Sequence, residues 1–156
     1  MYATISEIPS LNLKKVRFYT IDFEERDSAE FFDFLNRMND DIEKKKDLET
    51  ILASIKAIGN KLGAKKKLFK HERKGEALPT FYEEKDNFSG DYGVRLYCIV
   101  LSEQIVILLN GDKKTQKDPE KCPNVRKYFR ELQSIAKAIN EDFKDKVLAL
   151  NGNTIV

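Results

Sequence analysis

Two runs of aliphatic, aromatic and β-branched residues, Val94–Leu101 and Ile105–Leu109, dominate the hydrophobic pattern of the chain. The Ser102-Glu103-Gln104 break between them has the length of a tight connection, so the pair predicts an antiparallel hairpin. Within Ile105-Val106-Ile107-Leu108-Leu109 no polar residue alternates with the apolar ones, which predicts cover on both faces and hence an interior strand. The first run is more mixed. Arg95 and Tyr97 share one face at a spacing of two, and Val94, Leu96 and Cys98 share the other. Asn110-Gly111-Asp112 carries turn chemistry and predicts that the backbone leaves the sheet there, delivering Lys113, Lys114 and Lys117 into solvent.

Before this hairpin the period of the pattern changes. The chain begins with a polar stub, and Val16–Phe23 then has the composition of a first strand. Asp27 and Glu30 have the spacing of a helix cap, followed by a stripe of Phe31, Leu35, Met38 and Ile42. Glu43-Lys44-Lys45-Lys46-Asp47 breaks the stripe, and Leu48, Ile51, Leu52, Ile55, Ile58 and Leu62 begin another that ends near Gly59 or Gly63. Two antiparallel helices are predicted. Leu78–Lys85 predicts a further strand, restricted by Pro79 to an edge or to a start after the proline. After Pro123-Asn124, a last helix carries Val125, Phe129, Leu132, Ile135 or Ala136, Ile139 and Phe143. The order strand, two helices, three strands, helix predicts an α+β domain spanning residues 1–156. A mostly antiparallel sheet of about four strands would carry an N-terminal helix pair and a C-terminal helix.

Composition narrows the function classes. The chain has 156 residues, 41% of them hydrophobic, enough for one domain with a substantial core. No apolar run approaches the roughly 20 residues that cross a bilayer, and the N-terminus lacks a basic segment followed by an apolar one, so a cytoplasmic protein without a membrane partner is expected. Cys98, Cys122 and His71 show no metal-ligand spacing, so neither a metal nor another cofactor is expected. The net charge of +2 conceals an asymmetry: residues 61–130 hold 16 basic and 10 acidic residues, whereas residues 1–60 hold 9 and 12. Lys61–Lys74 alone contains seven basic residues and one acidic residue. Such a middle is either a polyanion-binding surface or a solvated face.

The residues Tyr92-Gly93-Val94-Arg95-Leu96-Tyr97-Cys98, the buried IVILLNG run and the basic exit KKTQKDP resemble the RelE/ParE superfamily of toxins, especially its HigB-like, phage-derived branch. The resemblance spans roughly residues 16–140 and is most specific between Gly93 and Pro119. It implies a RelE-like fold and the toxin of a bacterial type II toxin-antitoxin system. It also implies a cognate antitoxin as partner and, as in the best-known members, ribosome-dependent cleavage of mRNA. Other members poison gyrase, so a non-catalytic binding module acting through protein contacts is the alternative. Arg95 occupies the arginine position of the superfamily's Tyr-Arg-Leu strand, Lys113 and Lys114 its basic exit, and Tyr82, Glu83 and Lys85 its preceding aromatic-Glu-Arg strand. The last aromatic is Phe143, so the resemblance assigns no C-terminal Tyr or His as general acid.

Metal-free RNA cleavage requires a base for the 2′-hydroxyl, cations for the phosphate charge and an acid for the leaving oxygen. Arg95 suits a bidentate phosphate clamp, and Lys113 or Lys114 would become a base if clustered cations lowered its pKa. Lys65, Lys66, Lys67, Lys70, Lys85 and Lys117 are candidate RNA contacts, with Tyr82 or Tyr97 as a stacking platform. Against these stand plainer readings: Arg95 paired with a surface carboxylate such as Glu83, the lysines in a solvated turn, Tyr97 half-buried in a strand, and His71 on the surface.

Overall fold

The computed structural model describes the backbone of residues 3–80, 92–144 and 154–155. Along the chain it forms β1 (Ala3–Asn12), β2 (Arg17–Phe23), α1 (Glu30–Asn39), α2 (Ile42–Ala57), β3 (Lys70–Glu72) and β4 (Gly75–Leu78), then β5 (Val94–Ser102), β6 (Ile105–Lys113), α3 (Arg126–Lys144) and β7 (Thr154–Ile155). The strands make one seven-stranded sheet in the order β3-β4-β5-β6-β2-β1-β7. All pairings are antiparallel except β2 with β6, which runs parallel from Arg17 opposite Ile105 to Thr20 opposite Leu108. The chain is therefore α+β with a mixed sheet, larger than the four or so strands that the sequence predicts.

Alternation along the strands builds two cores. Ile107 and Leu109 of β6, Tyr97 and Ile99 of β5 and Tyr19 and Ile21 of β2 face α3, meeting Val125, Phe129, Leu132, Ala136 and Ile139. Val106 and Leu108, with Val94, Leu96, Cys98 and Phe18, face the other way onto Phe31, Phe34 and Met38 of α1 and Leu48, Ile51 and Ile55 of α2. The predicted sharing of faces along β5 and the interior place of Ile105–Leu109 are both seen. Each fully buried aliphatic or aromatic side chain contributes roughly 1.5–3 kcal/mol, so β6, buried on both faces, anchors both layers. Close approach of α3 also depends on Gly75, where a Cβ would lie 2.4 Å from Leu132 Cδ1.

Several boundaries differ from the sequence reading, each for a local reason. The N-terminal stub is a strand, because Ala3 and Ile5 bury one face of β1 on the α3 side and Ile8 buries the other face on the α1 side. Its register with β2 slips between Glu7 and Asn12, where Pro9 cannot donate to a ladder. Helix α1 begins at Glu30 without a side-chain cap of its own. The buried hydroxyl of Thr20 on β2 instead accepts the N–H of Phe31 at 3.0 Å. Helix α2 starts at Ile42, capped by Asp41, whose carboxylate accepts the N–H of Glu43, so the EKKKD run is helix rather than interruption. Ile42, 91% exposed, belongs to neither stripe. Strand β4 lies before Pro79 and ends at Leu78, and residues 81–85 of the strand expected within Leu78–Lys85 lie outside the described residues. Asn110-Gly111-Asp112 does not turn. Strand β6 continues to Lys113 over an irregular register at Gly111, whose missing Cβ would sit 1.8 Å from the Arg95 carbonyl oxygen. Among the described residues, no helix is long and apolar enough to cross a membrane.

Candidate functional site

The ladder between β5 and β6 extends past its last strand residues, because the Lys114 N–H donates to the Gly93 carbonyl at 2.9 Å and the Tyr92 N–H to the Lys114 carbonyl at 3.1 Å. Lys114 is thereby held at the sheet instead of leaving it, and is 3% exposed. Thr115 and Cys122 fix the segment that follows, the Thr115 N–H and hydroxyl both lying 3.3 Å from Sγ. The Asn124 amide donates to the Lys113 carbonyl at 3.1 Å. The basic exit is thus clamped against the approach to α3.

Three strands deliver charge to this point. Register places Lys70 of β3 beside Ala77 of β4, and Ala77 beside Tyr97 of β5, a row on the α3 side of the sheet. Glu72, two residues from Lys70, is buried and pairs with it at 3.4 Å between Nζ and Oε1. Arg95, two residues from Tyr97, is 6% exposed. Burial, then the charge and side-chain contact of Lys70, then Arg95, press the Lys114 pKa down to about 8, with Glu72 pulling the other way. The Tyr92 ring lies 5.7 Å from Lys114 Nζ. Lys70, Arg95 and Lys114 therefore meet, and among the described residues Glu72 lies with them.

The remaining sequence candidates do not join this group. Tyr97 is 1% exposed, its ring edge-on to Phe129 at 6.0 Å between centroids, and burial pushes its hydroxyl far above the ordinary value. No base can stack on a ring inside the core, so Tyr97 is a packing residue and not a platform. Lys113 is half-buried, and its hydrogen bonds among the described residues are made by its backbone. Lys117 is exposed on the following loop. Lys65, Lys66 and Lys67 line a surface cavity with Ser102 and Glu103, at the start of β6, whereas Lys114 follows its end. Strand β6 has nine residues, and its eight steps of about 3.3 Å put roughly 26 Å between the two places. The basic window is thus divided, with Lys65–Lys67 at the β5–β6 tip and Lys70 one turn of chain further on, beside Lys114. Tyr82, Glu83 and Lys85 lie outside the described residues.

A second polar assembly, absent from the sequence reading, closes the carboxyl ends of the parallel pair β2 and β6. The Arg37 guanidinium donates to Asp33 at 2.9 Å, Asp112 at 3.0 Å, the Gly111 carbonyl at 2.8 Å and the Asn110 side chain. It also lies 5.1 Å from the Tyr128 ring of α3. Lys44 of α2 pairs with Asp112 at 2.7 Å, and Asn110 donates to Asp33 at 2.9 Å. Beside it, Arg26 bridges Glu30 of α1 and Glu131 of α3. Burial raises the Glu30 pKa to about 7 against the pull of Arg26, with Glu131 and Asp33 adding to the rise. Asp33 goes the other way, since hydrogen bonds from Asn110 and Arg37 outweigh its burial. Each carboxylate here faces a cation or amide, so the network staples both helical layers to the sheet. Its only sequence signal was the polar Asn110-Gly111-Asp112 at the end of an apolar strand, which mimics a turn.

No family model matches the chain, and neither a curated protein nor a solved structure matches it.

Proposed function

We infer that the chain is a RelE/ParE-type toxin domain that cleaves messenger RNA on the ribosome without a metal ion. The observation that carries this reading is the meeting of Lys70, Arg95 and Lys114 on one face, with the Lys114 amine pressed down to about 8. A cationic centre repels a divalent metal but attracts a phosphodiester, and a lysine near neutrality has the pKa a general base needs. Neutral Lys114 takes the proton of a 2′-hydroxyl. The freed oxygen attacks the adjacent phosphorus, the bond from phosphorus to the 5′-oxygen breaks as that oxygen takes a proton from water, and a 2′,3′-cyclic phosphate and a 5′-hydroxyl remain. Arg95 stabilises the charge that grows on the phosphoryl oxygens, and Lys70 adds a second cation. Further support comes from the element order β2, α1, α2, β4, β5, β6, α3 and from β6 lying between β5 and β2, which fits a RelE-like layout with β1, β3 and β7 added. A toxin of this kind acts in the bacterial cytoplasm, where a cognate antitoxin holds it inactive.

Burial of Arg95 and Lys114 favours a second reading, a binding module of the same fold that acts through protein contacts. Inducing the chain in bacteria, with and without the neighbouring reading frame, separates the two. Growth arrest with cleaved ribosome-bound message, relieved by the neighbouring frame, supports the nuclease. Arrest with intact message supports the binding module, and no arrest counts against both.

A further inference from the structure

At the end of the sheet away from Lys114, three chain segments are tied into one platform. The Lys15 and Val16 N–H groups both donate to the Gly59 carbonyl, at 2.7 and 3.2 Å. Ala64 N–H donates to the Glu103 carbonyl at 2.7 Å, and Arg17 N–H to the Gln104 carbonyl at 2.9 Å. Gly59 permits the approach, since a Cβ there would lie 2.3 Å from Leu13 Cδ1. Gly63 makes the turn between, at φ +79°, a conformation that favours glycine. The connection of β1 to β2, the segment after α2 and the β5–β6 tip are therefore fixed relative to one another by backbone.

Around this tip run three surface cavities of about 530, 440 and 470 Å³. The first and second share Lys14, Lys15 and Gln104, and the second and third share Lys65 and Glu103, so they form one continuous groove. Six cations line it, Lys14, Lys15, Arg17, Lys65, Lys66 and Lys67, against two carboxylates, Glu7 and Glu103. All six cations are exposed, and among the described residues none has a carboxylate within ion-pair distance. Unneutralised cations spaced along a preformed channel suit a polymer that carries a negative charge on every unit. The channel bends round the tip of a two-stranded ribbon, a path that a single strand follows and a duplex, stiff over about 150 base pairs, does not. Its one aromatic lining residue, Tyr19, is buried, so recognition runs through phosphates and is independent of sequence.

We propose that the groove around the β5–β6 tip is a binding site for a single-stranded polynucleotide backbone, separate from the Lys70, Arg95 and Lys114 centre. It does not depend on the cleavage reading. The test is fluorescence anisotropy with a labelled, mixed-sequence 2′-O-methyl RNA 20-mer, which cannot be cut through its 2′-hydroxyl, between 50 and 200 mM KCl. Affinity is expected to fall linearly on a log–log plot with added salt. Combined replacement of Lys65, Lys66 and Lys67 by Ala should weaken binding and flatten the slope by about 2, since each phosphate left without its lysine lowers the slope by about 0.7. Replacing Lys14 and Lys15 together should flatten it by about 1.4. Lys121→Ala with Lys137→Ala, which removes two exposed cations elsewhere, should leave it unchanged. Folding of each variant is read from its thermal melt. Wild-type affinity and slope in the folded Lys65–Lys67 variant would overturn the proposal. So would displacement of the RNA by polyglutamate as readily as by poly(U), or loss of binding on Arg95→Ala alone.

Discussion

Lys70 lies close enough to Lys114 for its charge to press on the buried amine, beside the buried Arg95 guanidinium. Two ammonium groups at close range repel, so the approach disfavours the charged form of the buried amine, Lys114. Glu72 pairs with Lys70, at 3.4 Å between Nζ and Oε1, and fixes it beside Lys114.

Lys114 therefore sets the pH dependence of any cleavage. Its pKa is lowered to about 8 by burial and by Lys70 and Arg95, so the active neutral form grows as pH rises through 8. The rate on ribosome-bound message is expected to climb between pH 6.5 and 8 and level off above about 9. Lys70→Ala removes a like charge and should move the midpoint to higher pH, whereas Lys114→Arg, permanently charged, should abolish the rise. A flat profile in the wild type would remove Lys114 as the base.

Glu30 gives a stability signature of the opposite sense. Its carboxyl holds a proton more tightly folded than unfolded, because burial raises its pKa to about 7 from 4.5. The stability it confers is thus fully present below about 4.5 and is lost as pH rises through 7. Urea midpoints should fall across that window, and Glu30→Gln, which cannot titrate, should flatten the fall. An unchanged slope in the variant would place the titration elsewhere.

Two substitutions test the backbone of the sheet. Gly111→Ala would put a Cβ 1.8 Å from the Arg95 carbonyl oxygen, so the β5–β6 ladder must open. The cost should be on the order of 3 kcal/mol in chemical denaturation. Thr20→Val keeps the shape but removes the oxygen that caps α1, and should cost about 1–2 kcal/mol. A Val variant as stable as the wild type would show that water replaces the cap.

What the sequence revealed follows from where the determinants lie. The interior place of Ile105–Leu109, the two faces of β5, the helix pair and the α3 stripe rest on local periodicity and were legible. Strand β1 was not, because its buried residues change sides, Ala3 and Ile5 facing α3 and Ile8 facing α1, and Pro9 interrupts the run where the register slips. The start of α1 was misplaced because its cap is on another element, Thr20, eleven residues earlier. At the site, Arg95 and Lys114 were named from their positions, but the burial of Lys114 depends on backbone bonds to Tyr92 and Gly93 that no spacing encodes. The division of the basic window, with Lys65–Lys67 on the β5–β6 tip and Lys70 beside Lys114, likewise arises from tertiary contacts of Ala64 with Glu103 and of Lys70 with the row Ala77–Tyr97.

The central claim is that Arg95 stabilises charge on a phosphate undergoing cleavage, and the most direct measurement follows folding and cleavage on the same Arg95→Ala preparation. Circular dichroism and a thermal melt establish the folded fraction, and cleavage of ribosome-bound message is then timed against the wild type and Arg95→Lys. The account predicts a folded Arg95→Ala protein whose rate falls by roughly a hundredfold or more, on the order of 3 kcal/mol, the usual loss for one preorganised donor. Arg95→Lys should recover little, since an ammonium does not reproduce the guanidinium fork. A folded Arg95→Ala protein that cleaves at the wild-type rate, or a folded wild type that leaves the message intact, would contradict it.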